Sequence, residues 1–333
     1  MPEQVLNVRN LKVNFYTYAG VVQALNGVSF DIYRGEVFGI VGETGCGKSV
    51  TANSILQLVD KPGRIVEGEI FFKGTNLLKK TENELRAIRG NQISIVFQDP
   101  MTYLNPVLKI GEQIIEVILK KQKRLNQNAS KEDILDTCRA KAIDVLKEVR
   151  MPNAERVIDQ YPHELSGGMR QRAMIAMAIS CDPELLILDE ATTFLDVTIQ
   201  RQILGLVKNL KDQLGCTLLI ITHDMGIIAE MCDRVGIMYA GTIVECSSTE
   251  TIFKDPYHPY TRGLLAAIPS VKGGDKTLEY IPGSVPNLIY PPTGCRFHPR
   301  CEKVMDICSK KKPELIEFSP GHFVACHLYS EMY

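Results

Sequence analysis

Four runs of mostly apolar residues stand out along the chain, at 36–41, 93–97, 184–190 and 217–222. Runs of this length, without a regular alternation of polar positions, are typical of strands covered on both faces of a sheet. The sequences at 49–58 and 166–180 favour helices. Strands that alternate with helices in this way predict a parallel α/β sheet.

Two other regions follow different patterns. Closely spaced apolar positions at 5–33, and again at 68–74, predict an antiparallel sheet near the N-terminus. Residues 110–165 place apolar side chains at helical spacing, among them Ile110, Ile114 and Ile118. This spacing predicts a small helical subdomain.

Composition narrows the class of protein. A chain of 333 residues with a formal net charge of −1 suits about two globular domains and gives no electrostatic reason to expect nucleic acid. No apolar run approaches the roughly 18 residues of a membrane span. The N-terminus lacks the basic and then apolar pattern of a signal peptide. We therefore expect a cytosolic chain whose membrane association depends on a partner.

Residues 42–49 read Gly-Glu-Thr-Gly-Cys-Gly-Lys-Ser, the spacing of a phosphate-binding loop between a strand and a helix. Glycine tolerates positive φ and carries no Cβ, so the backbone can wrap closely around phosphates. Backbone N–H groups and the helix N-terminus then face the anion. We expect Lys48 to reach the β and γ phosphates and the Ser49 hydroxyl to bind Mg²⁺.

Three of the buried runs lead to polar side chains: Gln98 follows 93–97, Asp189 and Glu190 end 184–190, and His223 follows 217–222. The carboxyl ends of parallel strands are where open α/β sheets bind ligands. We therefore expect these side chains to gather around the phosphate-binding loop.

Two further features suggest ligand contacts. Residues 165–172 form a second glycine-assisted helix N-terminus, which predicts a second anion site. Phe15, Tyr16 and Tyr18 lie at the end of the first strand, where an exposed ring would stack on adenine. Ordinary strand packing explains these aromatic residues equally well.

Residues 165–169 read Leu-Ser-Gly-Gly-Met. This segment resembles the signature of the nucleotide-binding subunits of ABC transporters. With the phosphate-binding loop, the strand at 185–190 and His223, the resemblance to these subunits covers about residues 5–250. The resemblance implies an α/β ABC ATPase fold. Its RecA-like parallel-sheet core, N-terminal antiparallel β subdomain and inserted helical subdomain at about 100–165 would occupy 1–252. A small, irregular, metal-binding C-terminal extension would occupy 253–333.

The resemblance also implies how ATP is bound. The residues around the phosphates would be Gly42, Glu43, Thr44, Gly45, Cys46, Gly47, Lys48, Ser49 and Val50. Phe15 aligns best with the aromatic residue that stacks on adenine, and Tyr16 is the alternative.

Catalytic roles follow from the same resemblance. Gln98 would help bind Mg²⁺ and sense the nucleotide state, and Asp189 would orient Mg²⁺ through water. Glu190 would be the general base that polarises the attacking water. Lys48 would act on the phosphates, and His223 would contact the γ-phosphate.

The signature implies a dimer. In the family, Ser166 and Gly168 close on the γ-phosphate held by the opposite subunit, and Asp196 belongs to the loop between the two sites. The expected partner is a second ABC ATPase, with a related paralogue favoured over a second copy. Two transmembrane permease subunits complete the complex on the cytoplasmic side of the cell membrane.

Two C-terminal segments indicate the subfamily. Residues 255–265 and 294–301 resemble segments of oligopeptide/dipeptide importers, which receive cargo from an extracytoplasmic peptide-binding protein. A nickel or other small-solute importer is the alternative. A soluble ABC clamp on ribosomes or DNA is a remote alternative, because this chain has one cassette and no basic excess.

Four of the ten cysteines crowd into the last 40 residues, as Cys295, Cys301, Cys308 and Cys326. Zinc sites usually contain closely spaced cysteine pairs, and disulfides are disfavoured in a cytosolic chain. Four thiolates can hold an iron–sulfur cluster, although this spacing matches neither ferredoxin pattern. Some peptide importers of this type carry a 4Fe–4S cluster in the extension, so we expect one here, with a structural role. Zinc and no metal remain alternatives.

Overall fold

The structure is a computed structural model that describes residues 3–125, 131–193, 195–268 and 280–332. These residues form two compact units. One contains the described residues of Met1–Lys79 and Leu219–Tyr333, and the other those of Lys80–Leu218. The predicted domain boundary at residue 252 stays a prediction.

The strands, in chain order, are β1 Gln4–Thr17, β2 Gly20–Tyr33, β3 Val37–Val41, β4 Gly63–Phe72, β5 Thr75–Asn76, β6 Ile93–Val96, β7 Leu185–Asp189, β8 Thr217–Thr222, β9 Arg234–Tyr239, β10 Thr242–Ser248, β11 Ile316–Ser319 and β12 His322–Val324.

The α-helices are α1 Lys48–Ile55, α2 Glu82–Ile88, α3 Pro100–Tyr103, α4 Ile110–Leu125, α5 Lys131–Glu148, α6 Ala154–Val157, α7 Gly167–Ile179, α8 Val197–Leu214, α9 Met225–Met231, α10 Thr249–Lys254 and α11 Pro259–Ala266. Short 3₁₀ turns lie at Leu77–Lys79, Pro162–Glu164, His298–Arg300, Asp306–Ser309 and His327–Met332.

The first unit contains the predicted antiparallel sheet, in the order β2-β1-β4-β5. Two long strands, β1 and β2, replace the several shorter ones that the spacing at 5–33 suggested, because bulges let each strand continue. β4 begins at Gly63, before the predicted start at residue 68. The sheet buries Leu6, Val8 and Leu11 on β1.

A second sheet of this unit runs in the order β11-β12-β10-β9-β3, with residues 219–222 of β8 beside β3. β3 and β9 are parallel, whereas β9, β10, β12 and β11 pair in antiparallel fashion. All five residues of β3 are buried, as the apolar run predicts. The sheet is therefore mixed.

The second unit combines a parallel strand pair with helices. β6 pairs with β7 from Ile93↔Leu185 to Val96↔Leu188. Helices α4 and α5 pack against each other, and both pack on α7. The apolar side chains at helical spacing in 110–165 contribute to this packing, and Ile110, Ile114 and Ile118 are buried. In the part of the chain that the structure describes, none of the helices combines the length and apolarity needed to cross a membrane.

The C-terminal extension has more regular structure than its sequence indicates. Strands β11 and β12 form a hairpin, and β12 pairs with β10 at Glu245↔Val324 and Cys246↔Phe323. The expectation of an irregular extension is therefore wrong for this segment. The pairing covers backbone groups of β10 that would otherwise lie at a sheet edge.

A buried carboxylate joins the extension to β10. Glu245 is fully buried and accepts hydrogen bonds from the N–H groups of Tyr257 (2.7 Å) and His258 (3.0 Å). The Nε2 atom of His322 lies 2.7 Å from the same carboxylate. Burial alone raises the pKa of a carboxyl group, but these bonds outweigh it and lower the pKa of Glu245.

His258 must remain neutral in this arrangement. Its Nδ1 accepts the N–H of Tyr260 (3.0 Å) and caps α11, so protonation at Nδ1 would remove the cap. Burial lowers the pKa of His258 from 6.5 to about 4. The unfolded chain therefore takes up a proton at a higher pH than the folded chain does.

We predict that the free energy of unfolding falls as the pH drops from 7 to 5, and that His258 contributes about 2 kcal/mol of this fall. Urea unfolding at the two pH values should show a smaller fall for His258→Asn, because asparagine can cap the helix without titrating. An equal fall in both proteins would contradict a depressed pKa at His258.

Candidate functional site

The phosphate-binding loop lies between β3 and α1, as predicted. A Cβ on Gly42 would lie 2.0 Å from the carbonyl oxygen of Met238, so no side chain fits there. Gly45 and Gly47 have φ of +81° and +105°, a region that favours glycine. The lack of space at Gly42 and the positive φ of Gly45 and Gly47 thus explain why glycine occupies these three positions.

Lys48 lies inside this loop. It is buried, and its Nζ donates to the carbonyl oxygens of Gly42 (2.9 Å) and Glu43 (3.1 Å). The next residue, Ser49, is half-buried in the first turn of α1. A phosphate that enters the loop would meet an ammonium group that the loop already holds, and charge-assisted hydrogen bonds of this kind are strong.

The other residues predicted to surround the phosphates lie in the same loop and in the first turn of α1. Thr44 and Gly45 are exposed, Val50 is half-buried, and Cys46 is fully buried. Burial raises the pKa of the Cys46 thiol to about 11, so it remains protonated at neutral pH.

The aromatic candidates differ in exposure. Phe15 is half-buried, and its Cε1 would lie 2.6 Å from a Cβ on Gly63. Tyr16 is 46% exposed beneath the guanidinium of Arg64, 5.7 Å from the ring centroid. Tyr18 is fully exposed. Phe15 thus packs within the sheet, while Tyr16 and Tyr18 present ring surface to solvent.

His223 follows β8 and is exposed in the first unit. The next residue, Asp224, caps α9 by accepting the N–H of Gly226 (2.7 Å). The cap fixes the backbone direction immediately after His223.

The second unit brings Gln98 and Glu190 together. The amide Nε2 of Gln98 donates to Oε2 of Glu190 at 3.0 Å, and the Thr193 hydroxyl lies 3.4 Å from the same oxygen. Glu190 has φ of +48°, which is uncommon for a residue with a side chain and is often found at functional sites. Asp189, at the end of β7, is buried.

The predicted signature begins a helix in the second unit. Ser166 caps α7 and accepts the N–H of Met169 at 3.4 Å. Ser166 and Gly167 are exposed, and a Cβ on Gly168 would lie 3.0 Å from Cγ2 of Ile199. This helix N-terminus is therefore accessible to an anion outside the unit.

Asp196 has a local role that motif comparison did not indicate. Its carboxylate accepts the N–H groups of Thr198 and Ile199, each at 3.0 Å, and caps α8. The signal was present in the sequence, because aspartate before an amphipathic helix is a common N-cap.

The four C-terminal cysteines lie within electrostatic range of one another. Burial raises the pKa of Cys326 to about 12 and that of Cys295 to about 11, and the neighbouring thiols of Cys301 and Cys308 add to both shifts. The N–H of Cys295 donates to the carbonyl oxygen of Cys308 at 2.8 Å.

Across residues 3–125, 131–193, 195–268 and 280–332, no three His, Cys, Asp or Glu side chains are arranged to hold a metal ion. The metal-binding part of the prediction is therefore not confirmed.

Sequence reasoning missed two residues beside the loop. The Tyr260 hydroxyl accepts the N–H of Glu43 (3.0 Å), and Arg300 pairs with the Glu43 carboxylate (2.9 Å). Both residues lie in the segments 255–265 and 294–301, whose sequences indicate a subfamily but give no sign of a contact with the loop.

Comparison with known proteins agrees with this geometry. A family model described as "ABC transporter" matches residues 25–193. A second model, "Oligopeptide/dipeptide transporter, C-terminal region", matches residues 244–308.

Two curated relatives match almost the whole chain. The probable peptide ABC transporter ATP-binding protein y4tR of Sinorhizobium fredii is 49% identical over 98% of this chain and 96% of its own length. The dipeptide transport ATP-binding protein DppD of Bacillus subtilis is 45% identical over 99% of this chain and 96% of its own length.

Among solved structures, the chain is similar to MJ0796, a bacterial ABC transporter cassette solved as a dimer. The TM-score is 0.64 at 27% identity, covering 73% of this chain and 98% of the cassette. That cassette is also known in a post-hydrolysis dimer bound to ADP and Pi.

We predict that Gly42→Ala destabilises the protein more than Gly45→Ala does. The new methyl group at residue 42 would clash with backbone and should cost about 2 kcal/mol or more. At residue 45 no described atom lies within 4 Å of a Cβ, so only left-handed strain remains, roughly 1–2 kcal/mol. Urea unfolding measures both losses, and the reverse order would contradict the loop geometry.

Proposed function

The chain belongs to the ABC transporter family, among its ATP-binding proteins of the oligopeptide/dipeptide type, and we propose that it hydrolyses ATP to drive import of di- and oligopeptides. The observation that carries the proposal is the phosphate-binding loop with Lys48 already buried against its carbonyl groups. Peptide cargo is favoured over nickel or another small solute by the match at 244–308 and by the two relatives.

We assign nucleotide binding to residues 42–50. Lys48 and the backbone N–H groups of the loop would hold the phosphates, apart from the Glu43 N–H, which the Tyr260 hydroxyl accepts. Of the two residues that the family alignment offers for adenine stacking, we choose Tyr16, because its ring is exposed whereas Phe15 already packs against Gly63.

Magnesium suits the donor atoms that the family assigns to it. The Ser49 hydroxyl, the Gln98 amide oxygen and the Asp189 carboxylate are hard oxygen donors, which Mg²⁺ prefers, and bound Mg²⁺ would neutralise phosphate charge.

We assign the general base to Glu190. It would polarise a water molecule whose oxygen attacks the γ-phosphorus, while the bond to the bridging oxygen breaks and ADP leaves. Gln98 holds the Glu190 carboxylate at 3.0 Å and would release or retain it as the nucleotide changes. His223 would donate a hydrogen bond to the γ-phosphate.

We further propose that two ATPase subunits form a head-to-tail dimer around ATP. The exposed N-terminus of α7, with Ser166 and Gly168, would close on the γ-phosphate bound by the other subunit. Asp196 would lie in the loop between the two sites. The dimeric MJ0796 cassette supports this arrangement.

The remaining partners follow from the family. A paralogous ATPase is the proposed second subunit, with a second copy of this chain as the alternative. Two transmembrane permease subunits would hold the dimer at the cytoplasmic face of the membrane, and an extracytoplasmic binding protein would deliver the peptide.

For Glu190→Gln we predict that ATP hydrolysis falls by about three orders of magnitude while ATP binding is kept, because only a transition-state group is lost. Phosphate release and nucleotide titration measure the two quantities. The variant should also form a longer-lived dimer with ATP, as gel filtration would show.

The matched control is Glu230→Gln, which removes an exposed carboxylate from α9 and should leave turnover unchanged. Undiminished hydrolysis in Glu190→Gln would mean that another group is the base.

We also propose that Cys295, Cys301, Cys308 and Cys326 hold a 4Fe–4S cluster with a structural role. The fit rests on their chemistry and placement: the N–H of Cys295 donates to the carbonyl oxygen of Cys308, and bound iron would stabilise the thiolate forms of the cysteines. The spacing of the four cysteines lacks the closely spaced pairs usual in zinc sites, which favours a cluster over zinc.

Anaerobic purification should therefore give a brown protein with about four iron and four sulfide per chain. Cys308→Ser should lose the iron, whereas Cys216→Ser, at a buried cysteine outside this group, should keep it. A colourless protein with one zinc, or with no metal, would contradict the cluster.

A further inference from the structure

Three groups of one residue, Glu43, are held by neighbours at the start of the phosphate-binding loop. Its N–H donates to the Tyr260 hydroxyl at 3.0 Å. Its carboxylate accepts two hydrogen bonds from Nη1 of Arg300, at 2.9 and 3.1 Å. Its carbonyl oxygen accepts Nζ of Lys48 at 3.1 Å. Two of these three contacts come from the C-terminal extension.

These contacts are shielded from water. Tyr260 is fully buried, and the side chains of Arg300 and Glu43 are 7% and 26% exposed. An ion pair in such a place is screened less than a surface pair. Removing one partner leaves a charge that the surroundings do not neutralise.

Arg300 is also fixed independently of Glu43. Its Nε donates to the carbonyl oxygen of Pro282 at 2.8 Å, and its Nη2 donates to those of Ile281 (3.2 Å) and Gly283 (3.3 Å). The guanidinium therefore has a defined position to which Glu43 is drawn.

A second arginine of the same segment, Arg296, is linked to the loop through the backbone at Ala240 and Gly241. Arg296 donates to the carbonyl oxygens of Ala240 and Gln23. The next residue after Ala240, Gly241, donates its N–H to the carbonyl oxygen of Cys46 at 2.7 Å. The extension thus contacts the loop directly at Glu43 and indirectly at Cys46.

The Glu43 carboxylate poses an electrostatic problem for a phosphate site. It lies in the loop that would bind a polyanion, and an unneutralised carboxylate there would repel the phosphates. Arg300 removes this repulsion, while Tyr260 holds the backbone at the same residue. A loop that is held before binding also loses less conformational entropy when the ligand arrives.

We propose that the C-terminal extension positions and charge-compensates the phosphate-binding loop, with Arg300 and Tyr260 as positioning residues for nucleotide binding. The inference rests on the proposed nucleotide site at 42–50. It assigns the extension a part in ATP binding in addition to any cluster that it holds.

The test is a titration of the full chain with MgADP, which reports binding without hydrolysis. Arg300→Gln should weaken binding by roughly tenfold, because the Glu43 carboxylate loses its counter-charge. Glu43→Gln completes the double-mutant cycle, and the double variant Glu43→Gln/Arg300→Gln, which removes the carboxylate and keeps the backbone of the loop, should recover to within about threefold of the parent.

Recovery in the double variant would attribute the loss in Arg300→Gln to the uncompensated Glu43 carboxylate. A double variant at least as impaired as Arg300→Gln would overturn charge compensation. The loss in Arg300→Gln should also shrink at high salt, because the repulsion is electrostatic.

Controls separate this inference from the assignment of the site. Arg262→Gln removes another arginine of the extension, one that donates to Pro256 and Tyr329, and should bind like the parent. If Lys48→Ala leaves binding unchanged, the site itself is wrongly assigned. If Lys48→Ala abolishes binding while Arg300→Gln binds normally, the positioning role alone is overturned.

Tyr260→Phe provides an independent arm should Arg300→Gln not fold. The ring keeps its contacts with Tyr239 and Phe297, whose centroids lie 4.7 and 5.3 Å away, and only the acceptor for the Glu43 N–H is lost. Binding should weaken by about threefold to tenfold. Unchanged MgADP binding in Tyr260→Phe would overturn the positioning role of Tyr260.

Discussion

A loop that binds phosphate through its backbone N–H groups cannot use those same groups to hold its own shape. Gly42, Gly45 and Gly47 make the constraint more severe, because glycine has the most freedom to lose on folding. The shape has to come from neighbouring residues. In this chain the Lys48 ammonium, the Tyr260 hydroxyl and the Arg300 guanidinium meet at Glu43, so much of the loop's support lies far along the sequence.

The buried carboxylate of Glu245 extends this dependence to the sheet. It is satisfied by the N–H groups of Tyr257 and His258 and by His322. His258 in turn caps α11, the helix on which Tyr260 lies. The hydrogen bonds that pair the extension with β10 therefore also place the Tyr260 hydroxyl at Glu43. For this reason the extension belongs structurally to the unit that contains the phosphate-binding loop.

Local patterns predicted the elements that local forces decide. The buried run before residue 42 and the glycines after it were sufficient for β3 and the start of α1, and Ser166 marked the start of α7. The β11–β12 hairpin was not predictable in this way, because its formation depends on an open edge of β10. The Glu43–Arg300 pair was equally hidden, since charge pairing between distant residues leaves no periodic signal. The resemblance ranked Phe15 above Tyr16 for adenine stacking, and it could not reveal the contact of Phe15 with Gly63, which depends on the folded sheet.

The cysteines and the supporting arginines are interleaved in one short segment. Cys295 precedes Arg296, and Arg300 precedes Cys301, so each arginine begins one residue, about 3.8 Å, from a proposed cluster ligand. The segment is also ordered by its own turns, in which the N–H groups of His298 and Arg300 donate to the carbonyl oxygens of Cys295 and Phe297. A cluster bound by the cysteines would add rigidity to a segment that already contacts the phosphate-binding loop, which is why a structural role suits it better than electron transfer.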